Sequence, residues 1–388
     1  MDTFYFNLPK SKCNKWFIKL FAICPLEDGA YATKIYAILV LVITAVSFIF
    51  QMCGRISMKF NLDFGVSSNT IVVGTVNTIV DALCNIVMTL PALVLSENFK
   101  GMVMAQINSL DSLLAKYVGT PSEKASTYFN LLVFNNIFHF ALTCNSLSFY
   151  FTETEDYFKT YILYYSFDQM YRYRMSILTV YVYYILKELD RKITFINAIL
   201  TDAFKKYSGK DLPISPKEIM HLRNVVRDVS EMHAQFTQLI CFFNKLFGWQ
   251  LLLVFLNYVT LFIISYETGV RIVLSKIDDD HHQSAVWLCA SMSYALYGAV
   301  VIALICNNIS KKSRKTADLA YFYYYDLNIG ECNIGQLVLS TDMVTLIRQA
   351  RSSVTEFSAA GFFPINYSTL FLLMNLLTSY LIVILQFQ

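Results

Sequence analysis

The chain has 388 residues, of which 56% are apolar and only 15% charged, with a formal net charge of +3 and a mean hydropathy of +0.46. Soluble domains carry about 25% charged residues, so this composition excludes an ordinary soluble enzyme, and the small net charge leaves no electrostatic footprint for a nucleic-acid partner. Nine cysteines, an odd number without paired spacing, argue against a closed disulfide framework; inside apolar runs they act as small hydrophobes.

In chain order, the N-terminal segment 1–31 reads as cytoplasmic. Its apolar patch Trp16–Pro25 is short, is interrupted by Lys19 and lacks a small-residue cleavage site, so it is no ordinary secretory signal. The first true span is then expected to act as the targeting signal. A helix needs about 20 mostly apolar residues to cross the hydrocarbon core. Seven stretches qualify: Ala32–Met52, Thr70–Leu95, Tyr128–Phe151, Ile162–Leu186, Leu246–Tyr266, Ala285–Asn307 and Tyr367–Phe387. Asp168, Arg172 and Arg174 interrupt the fourth, so six spans are the alternative. Ala317–Leu339 is excluded as a span by Asp318, Asp326 and Glu331.

This divides the chain into spans 1–4 (32–186), cytoplasmic helical extensions (187–245), spans 5–6 (246–309), cytoplasmic helices (310–366) and a last span (367–388). In 187–245, Leu189, Ile193, Ile196, Leu200 and Phe204 recur at helical spacing, and breaks follow at Ser208-Gly209-Lys210 and Pro213–Pro216. A second helical stretch from Ile219 runs straight into span 5. The segment Ser310–Pro364 reads as helix, turn (Asn328–Gly335), helix. Together these pieces are expected to pack as a helical bundle beneath the membrane. No internal repeat supports an inverted-repeat transporter.

Lys and Arg set the orientation, since they concentrate on the cytoplasmic side. With the N-terminus inside, the inner segments together with Lys34 at the inner end of span 1 hold 24 of the 31 basic residues, and Lys311-Lys312-Ser313-Arg314-Lys315 after span 6 is the clearest stop signal. The outer loops hold Arg55, Lys59, Lys159, Arg271 and Lys276, beside acidic runs at Glu153, Glu155, Asp156 and Asp278–Asp280. The fold class is therefore an all-α membrane protein with seven transmembrane helices, N-terminus cytoplasmic and C-terminus extracellular. The sequons Asn308-Ile309-Ser310 and Asn366-Tyr367-Ser368 fall at inner ends and are expected to stay unmodified.

Polar residues inside spans are functional candidates because each is costly in lipid. In the outer half of the bundle they are Asn77 and Asp81, then Tyr150, then Tyr165, Asp168, Gln169, Tyr171 and Arg172. Tyr258, Tyr266, Trp287, Ser291 and Tyr294 complete the set. This mixed aromatic and hydrogen-bonding lining suits a small organic ligand. The competing reading of the charges is structural: Asp168 or Asp81 neutralises Arg172 or Arg174. The run Asp278-Asp279-Asp280-His281-His282 reads as a solvated loop rather than a metal site, and no cofactor is implied.

On the last span, Leu376, Ser379, Val383, Gln386 and Phe387 fall on or near one helical face. Such a mixture of hydroxyl, amide and bulky apolar groups suits a hydrophobic gate.

The C-terminal segment Phe357-Ser-Ala-Ala-Gly-Phe-Phe-Pro-Ile-Asn366, followed by a span ending Tyr380, five apolar residues, Gln386-Phe387, resembles the signature of insect gustatory receptors. Ser379 stands where that family usually has Thr. Leu20-Phe21-Ala22-Ile23-Cys24-Pro25 is similar to the family's entry segment, with Ala for Gly. The resemblance implies a taste receptor of the plasma membrane: a ligand-gated, non-selective cation channel assembled as a tetramer. Its partners would be a small-molecule tastant (bitter compound or sugar), membrane lipid, permeant cations, and identical or related subunits. The last span would line the pore with Val383, Gln386 and Phe387 at the constriction, the pocket would lie in the outer half, and the cytoplasmic helices would join the subunits. A G-protein-coupled-type receptor requires the opposite orientation, and a transporter calls for helices broken at mid-membrane; these are the alternatives.

Overall fold

The computed structural model describes residues 30–60, 68–94, 97–118, 136–137, 140, 158–207, 215–274, 282–326, 334–353 and 356–386. Among them run helices α1 (Ala30–Phe60), α2 (Ser68–Val94), α3 (Glu97–Val118), α4 (Phe158–Lys205), α5 (Pro216–Leu274), α6 (His282–Asp326), α7 (Ile334–Ser352) and α8 (Tyr367–Gln386). A two-stranded antiparallel hairpin, β1 (Ser358–Ala359) and β2 (Phe363–Pro364), sits between α7 and α8, pairing Ser358 with Pro364 and Ala359 with Phe363. The expected third span, Tyr128–Phe151, lies almost entirely outside the described residues.

The helix α1 shows why this chain wants lipid. Its inward face is small or polar, with Ala37, Val40, Thr44, Ser47 and Gln51 all buried. Its outward face carries Ile35, Ile38, Leu39, Val42, Val46 and Ile49, each more than half exposed. In water this arrangement is inside out; in a bilayer, tails cover the large side chains while small residues let helices approach. The Thr44 and Ser47 hydroxyls donate to the Val40 and Ile43 carbonyls at 2.8 and 2.6 Å, which satisfies them within the helix. Among the described residues, the stretch long and apolar enough to cross a membrane lies within Pro216–Ile263, and shorter apolar helices are Ala37–Cys53, Thr78–Leu90 and Tyr367–Ser379.

Three helices run unbroken far beyond any bilayer: α4 has 48 residues, α5 59 and α6 45. Their far halves pack with α3 and α7 into one apolar bundle. Leu189, Ile193, Ile196, Leu200 and Phe204 of α4 are all buried, against Leu222, Val226, Val229 and Phe236 of α5 and Leu339, Met343 and Leu346 of α7. Phe204 stacks on Tyr323 of α6 with ring centroids 5.2 Å apart. The two helices flanking the expected turn end at Asp326 and resume at Ile334.

Two elements go beyond the sequence reading. The helix α3 occupies the link between spans 2 and 3 and buries Val103, Ile107, Leu110 and Leu114, an i, i+4, i+7, i+11 stripe. It is pinned by a buried ion pair between Asp111 and Lys192 of α4. Burial pushes the Asp111 carboxyl up, against the opposing pull of Lys192. Tyr117 donates to Asp228 of α5 at 2.5 Å, and its phenol is pushed up to about 12, by burial first and then by that carboxylate. The second element is the hairpin, which stands where the sequence offers only a short apolar segment.

The start of α5 is a capping box. The Glu218 amide donates to Ser215 Oγ at 3.3 Å and the Ser215 amide to Glu218 Oε2 at 3.1 Å, with Pro216 at the first helical position. Lys206 first, then Ser215, hold the Glu218 carboxyl down to about 2. Since this lies below its ordinary 4.5, the contribution is complete above about pH 4.5 and fades as pH falls toward 2. Ser215→Ala is therefore expected to lower the thermal midpoint in detergent by about 1–3 °C at pH 7. The difference from wild type should shrink in a melt at pH 3.

Candidate functional site: the polar centre of the bundle and the terminal helix

Polar residues of α2 recur every fourth position at Asp81, Asn85 and Thr89, forming one stripe that is wholly buried. The Asn85 side-chain amide donates to the Asp81 carbonyl at 2.8 Å, and the Thr89 hydroxyl to the Asn85 carbonyl at 2.7 Å. Arg174 of α4, only 2% exposed, completes the stripe from the other side. Its two terminal nitrogens donate to Asn85 Oδ1 at 2.7 Å and Thr89 Oγ1 at 2.9 Å. The fork geometry of a guanidinium serves both acceptors at once, which an ammonium group does less well.

The helix α5 crosses the same stripe antiparallel. Asn257 Nδ2 donates to the Asp81 carboxylate, Cys84 Sγ lies 3.4 Å from the Leu253 carbonyl, and Gln250 Nε2 donates to the Val87 carbonyl at 3.5 Å. A second cross-link joins α5 to α4, where Tyr258 and Thr179 share a hydroxyl hydrogen bond of 2.9 Å. Gly298 makes room for that phenol: a Cβ added there would lie 2.5 Å from the Tyr258 hydroxyl oxygen. Tyr171 of α4, fully buried, donates to the Thr44 carbonyl of α1 at 3.1 Å. Four helices are thus bolted together by side chains in the middle of the bundle.

Five of the candidate ligand residues have described side chains, and three of these, Asp81, Tyr171 and Tyr258, are buried and make contacts between helices. Arg172 and Tyr266 are half-buried. Asn77, Tyr165, Asp168, Gln169, Trp287, Ser291 and Tyr294 lie on described helices, but their side chains fall outside the described set, and Tyr150 lies outside the described residues altogether. The sequence reading overlooked Asn85, Thr89, Thr179, Asn257 and Gly298. The i, i+4 polar spacing of α2 was the signal available for two of them.

The terminal helix α8 packs on α5 and α6 along one narrow side. Its described side chains include just two buried ones, Thr369 and Leu377. The opposite side exposes Phe371, Leu372, Leu376 and Ile382, with Leu376 60% exposed. Ser379 and Gln386 are exposed as well. The stripe Leu376, Ser379 and Gln386 therefore faces away from the chain's own core. Val383 lies on the same helix with its side chain outside the described set, and Phe387 lies just past the last described residue.

These features define a polytopic helical membrane protein: a polar knot between spans, a packed bundle of extended helices, and a lightly held terminal helix. The profile of the 7tm chemosensory receptor family matches residues 16–388, nearly the whole chain. The chain belongs to that family of multi-pass, seven-transmembrane chemosensory receptors, in agreement with its C-terminal motif. The structure of the insect olfactory receptor OR5 from Machilis hrabei aligns over 97% of this chain and 99% of that one, with a TM-score of 0.55 at 11% identity. The same receptor in complex with eugenol aligns over 96% and 98%, with a TM-score of 0.56 at 12% identity. At such low identity the likeness establishes the fold. No curated protein sequence matches the chain.

Proposed function

We propose that this receptor is a ligand-gated, non-selective cation channel of the plasma membrane, opened by a small organic tastant and built from four subunits around a pore lined by α8. The observation that carries this reading is the exposed stripe of α8. A helix facing only lipid gains nothing from Ser379 and Gln386, since each polar group in hydrocarbon costs free energy. A shared water-filled axis accounts for both. In this arrangement Leu376, Ser379, Val383, Gln386 and Phe387 face the axis. The segments 187–245 and 310–366 form the cytoplasmic bundle.

The ligand site belongs in the outer half, above the polar knot that forms its floor. Arg172, Tyr266 and the outer residues Asn77, Tyr150, Tyr165, Asp168, Gln169, Trp287, Ser291 and Tyr294 supply the lining. Asp81, Tyr171 and Tyr258 act there through the helices they hold. A related receptor takes eugenol, and an aromatic, hydrogen-bonding lining suits molecules of that size. Tastants such as alkaloids and sugars are the expected class, with subunits that are identical or related.

Orientation is the direct test. An epitope tag after Gln388 should be reached by antibody on unpermeabilised cells, and one before Met1 only after permeabilisation. The reverse labelling would overturn the channel reading in favour of a G-protein-coupled topology. A calcium-influx panel of sugars, bitter alkaloids and eugenol then identifies the ligand class.

A further inference from the structure

The hairpin between α7 and α8 is fastened mainly to one helix, α5, with an exposed ion pair from Arg314 of α6 to the Glu356 carboxylate on its flank. Asn244 grips it from both sides: its Nδ2 donates to the Glu356 carbonyl at 2.9 Å, and its Oδ1 accepts from the Ser358 amide at 3.1 Å. One turn on, Gly248 lets the backbone in. A Cβ at this position would lie 2.9 Å from the Ala360 nitrogen and 3.2 Å from its Cα, and backbone atoms cannot swing aside as a side-chain tip does. Aromatic rings extend the seat. Phe243 meets Phe357 edge-on at 5.2 Å, Trp249 meets Phe362 at 5.8 Å, and Phe255 meets Phe363 at 6.1 Å.

The hairpin is also stiff and is locked to the first turn of α8. Ala360 and Gly361 both take positive φ, 52° and 82°. Phe362 N donates to the Ala359 carbonyl at 2.9 Å, and Gly361 N to Ser358 Oγ at 2.8 Å. Asn366 caps α8 by accepting from Thr369 N at 3.0 Å, while the Thr369 hydroxyl donates to the Pro364 carbonyl. Beyond this joint α8 is held weakly. The base of the terminal helix is thus positioned chiefly by α5 through the hairpin, with Lys311 of α6 over the Tyr367 ring at 5.3 Å, while the rest of it has few contacts of its own.

We propose that Asn244 and Gly248 are positioning residues for gating: by seating the hairpin on α5 they fix the base of α8 and so set the resting balance between closed and open pore. This rests on the channel reading above. A shift of α5 carries the hairpin with it, and α8 follows because the joint does not flex. Loosening or displacing the seat releases α8 from its closed position.

The test is single-channel recording of the purified full-length receptor in planar bilayers with no ligand added. Asn244→Ala removes both hydrogen bonds, and Gly248→Ala forces the hairpin outward. Each is expected to raise the ligand-independent open probability about threefold or more, the size of shift that one or two hydrogen bonds can bias. Unitary conductance should stay at the wild-type value, because neither residue lines the pore. Cys241→Ser, at an exposed position earlier on α5, should behave as wild type. The double variant should shift less than the product of the two single effects, since both act on one joint. Wild-type open probability in both single variants, at normal yield and oligomeric size, overturns the proposal, and so does a changed conductance with unmoved open probability. If Gly248→Ala fails to assemble, Asn244→Ala decides alone. Silence from wild type, Phe387→Ala and the full panel of sugars, alkaloids and eugenol would instead remove the channel reading, and the clamp with it.

Discussion

Phe387→Ala is expected to turn the receptor into a leak. In the proposed tetramer, four Phe387 rings around a narrow axis would exclude water, and an ion cannot shed its hydration shell into such a ring cheaply. Removing them widens and wets the constriction, so current should flow with no ligand present, at unchanged surface density. Gln386→Ala, in the exposed stripe of α8, should alter conductance or gating while leaving assembly intact. Val383→Ala, one turn deeper, should leak in the same direction but less. Whole-cell recording of the three variants, with surface biotinylation, decides this. Currents indistinguishable from wild type in all three would mean that α8 does not line the pore.

Arg174→Ala is expected to cost the fold more than any other single change in the bundle. It removes both donors to Asn85 Oδ1 and Thr89 Oγ1 and leaves those acceptors buried, a loss of roughly 2–5 kcal/mol. Thermal unfolding in detergent should shift down and delivery to the cell surface should fall. Arg174→Lys keeps the charge but not the fork, so it should land between the two. A wild-type melting profile for Arg174→Ala would show that the stripe is satisfied without it. The competing structural reading of the intramembrane charges expected carboxylates to do this neutralising. To that reading the structure adds uncharged partners: Arg174 donates to an amide and a hydroxyl, and the amide of Asn257 donates to Asp81.

The long helices were legible because their signals are long. Leu189 to Phe204 repeats over many turns, and the breaks before Pro216 and after Asp326 interrupt it with residues that helices disfavour. The family was legible from the terminal Tyr380 to Phe387 motif. Short features were not. A two-residue strand pair has no period to read, and its left-handed Ala360 is an exception to the glycine rule on which turn prediction rests. Ser215-Pro216-Lys217-Glu218 did announce a capping box, yet hydropathy alone passes over it. For three of the pocket residues the sequence could not separate two kinds of polar residue. Composition flags Asp81, Tyr171 and Tyr258 as costly in lipid, but only the packing reveals that neighbouring helices already satisfy them.

The helix α5 has one more implication, which follows from its length. At about 1.5 Å per residue its 59 residues make a rod roughly 90 Å long. Residues 216 and 274 are its ends, and the seat at Asn244 to Gly248 spans its midpoint. The rod is gripped along its length, since α2, α3, α4, α6, α7 and β1 all pack on it, so it moves as one body rather than turning on the seat. A slide of about 2 Å along its axis, a little over one residue's rise, would reach the hairpin and both ends of α5 undiminished and in the same direction. The capped start of α5 would then register, roughly 40 Å from the seat, whatever displacement the hairpin receives.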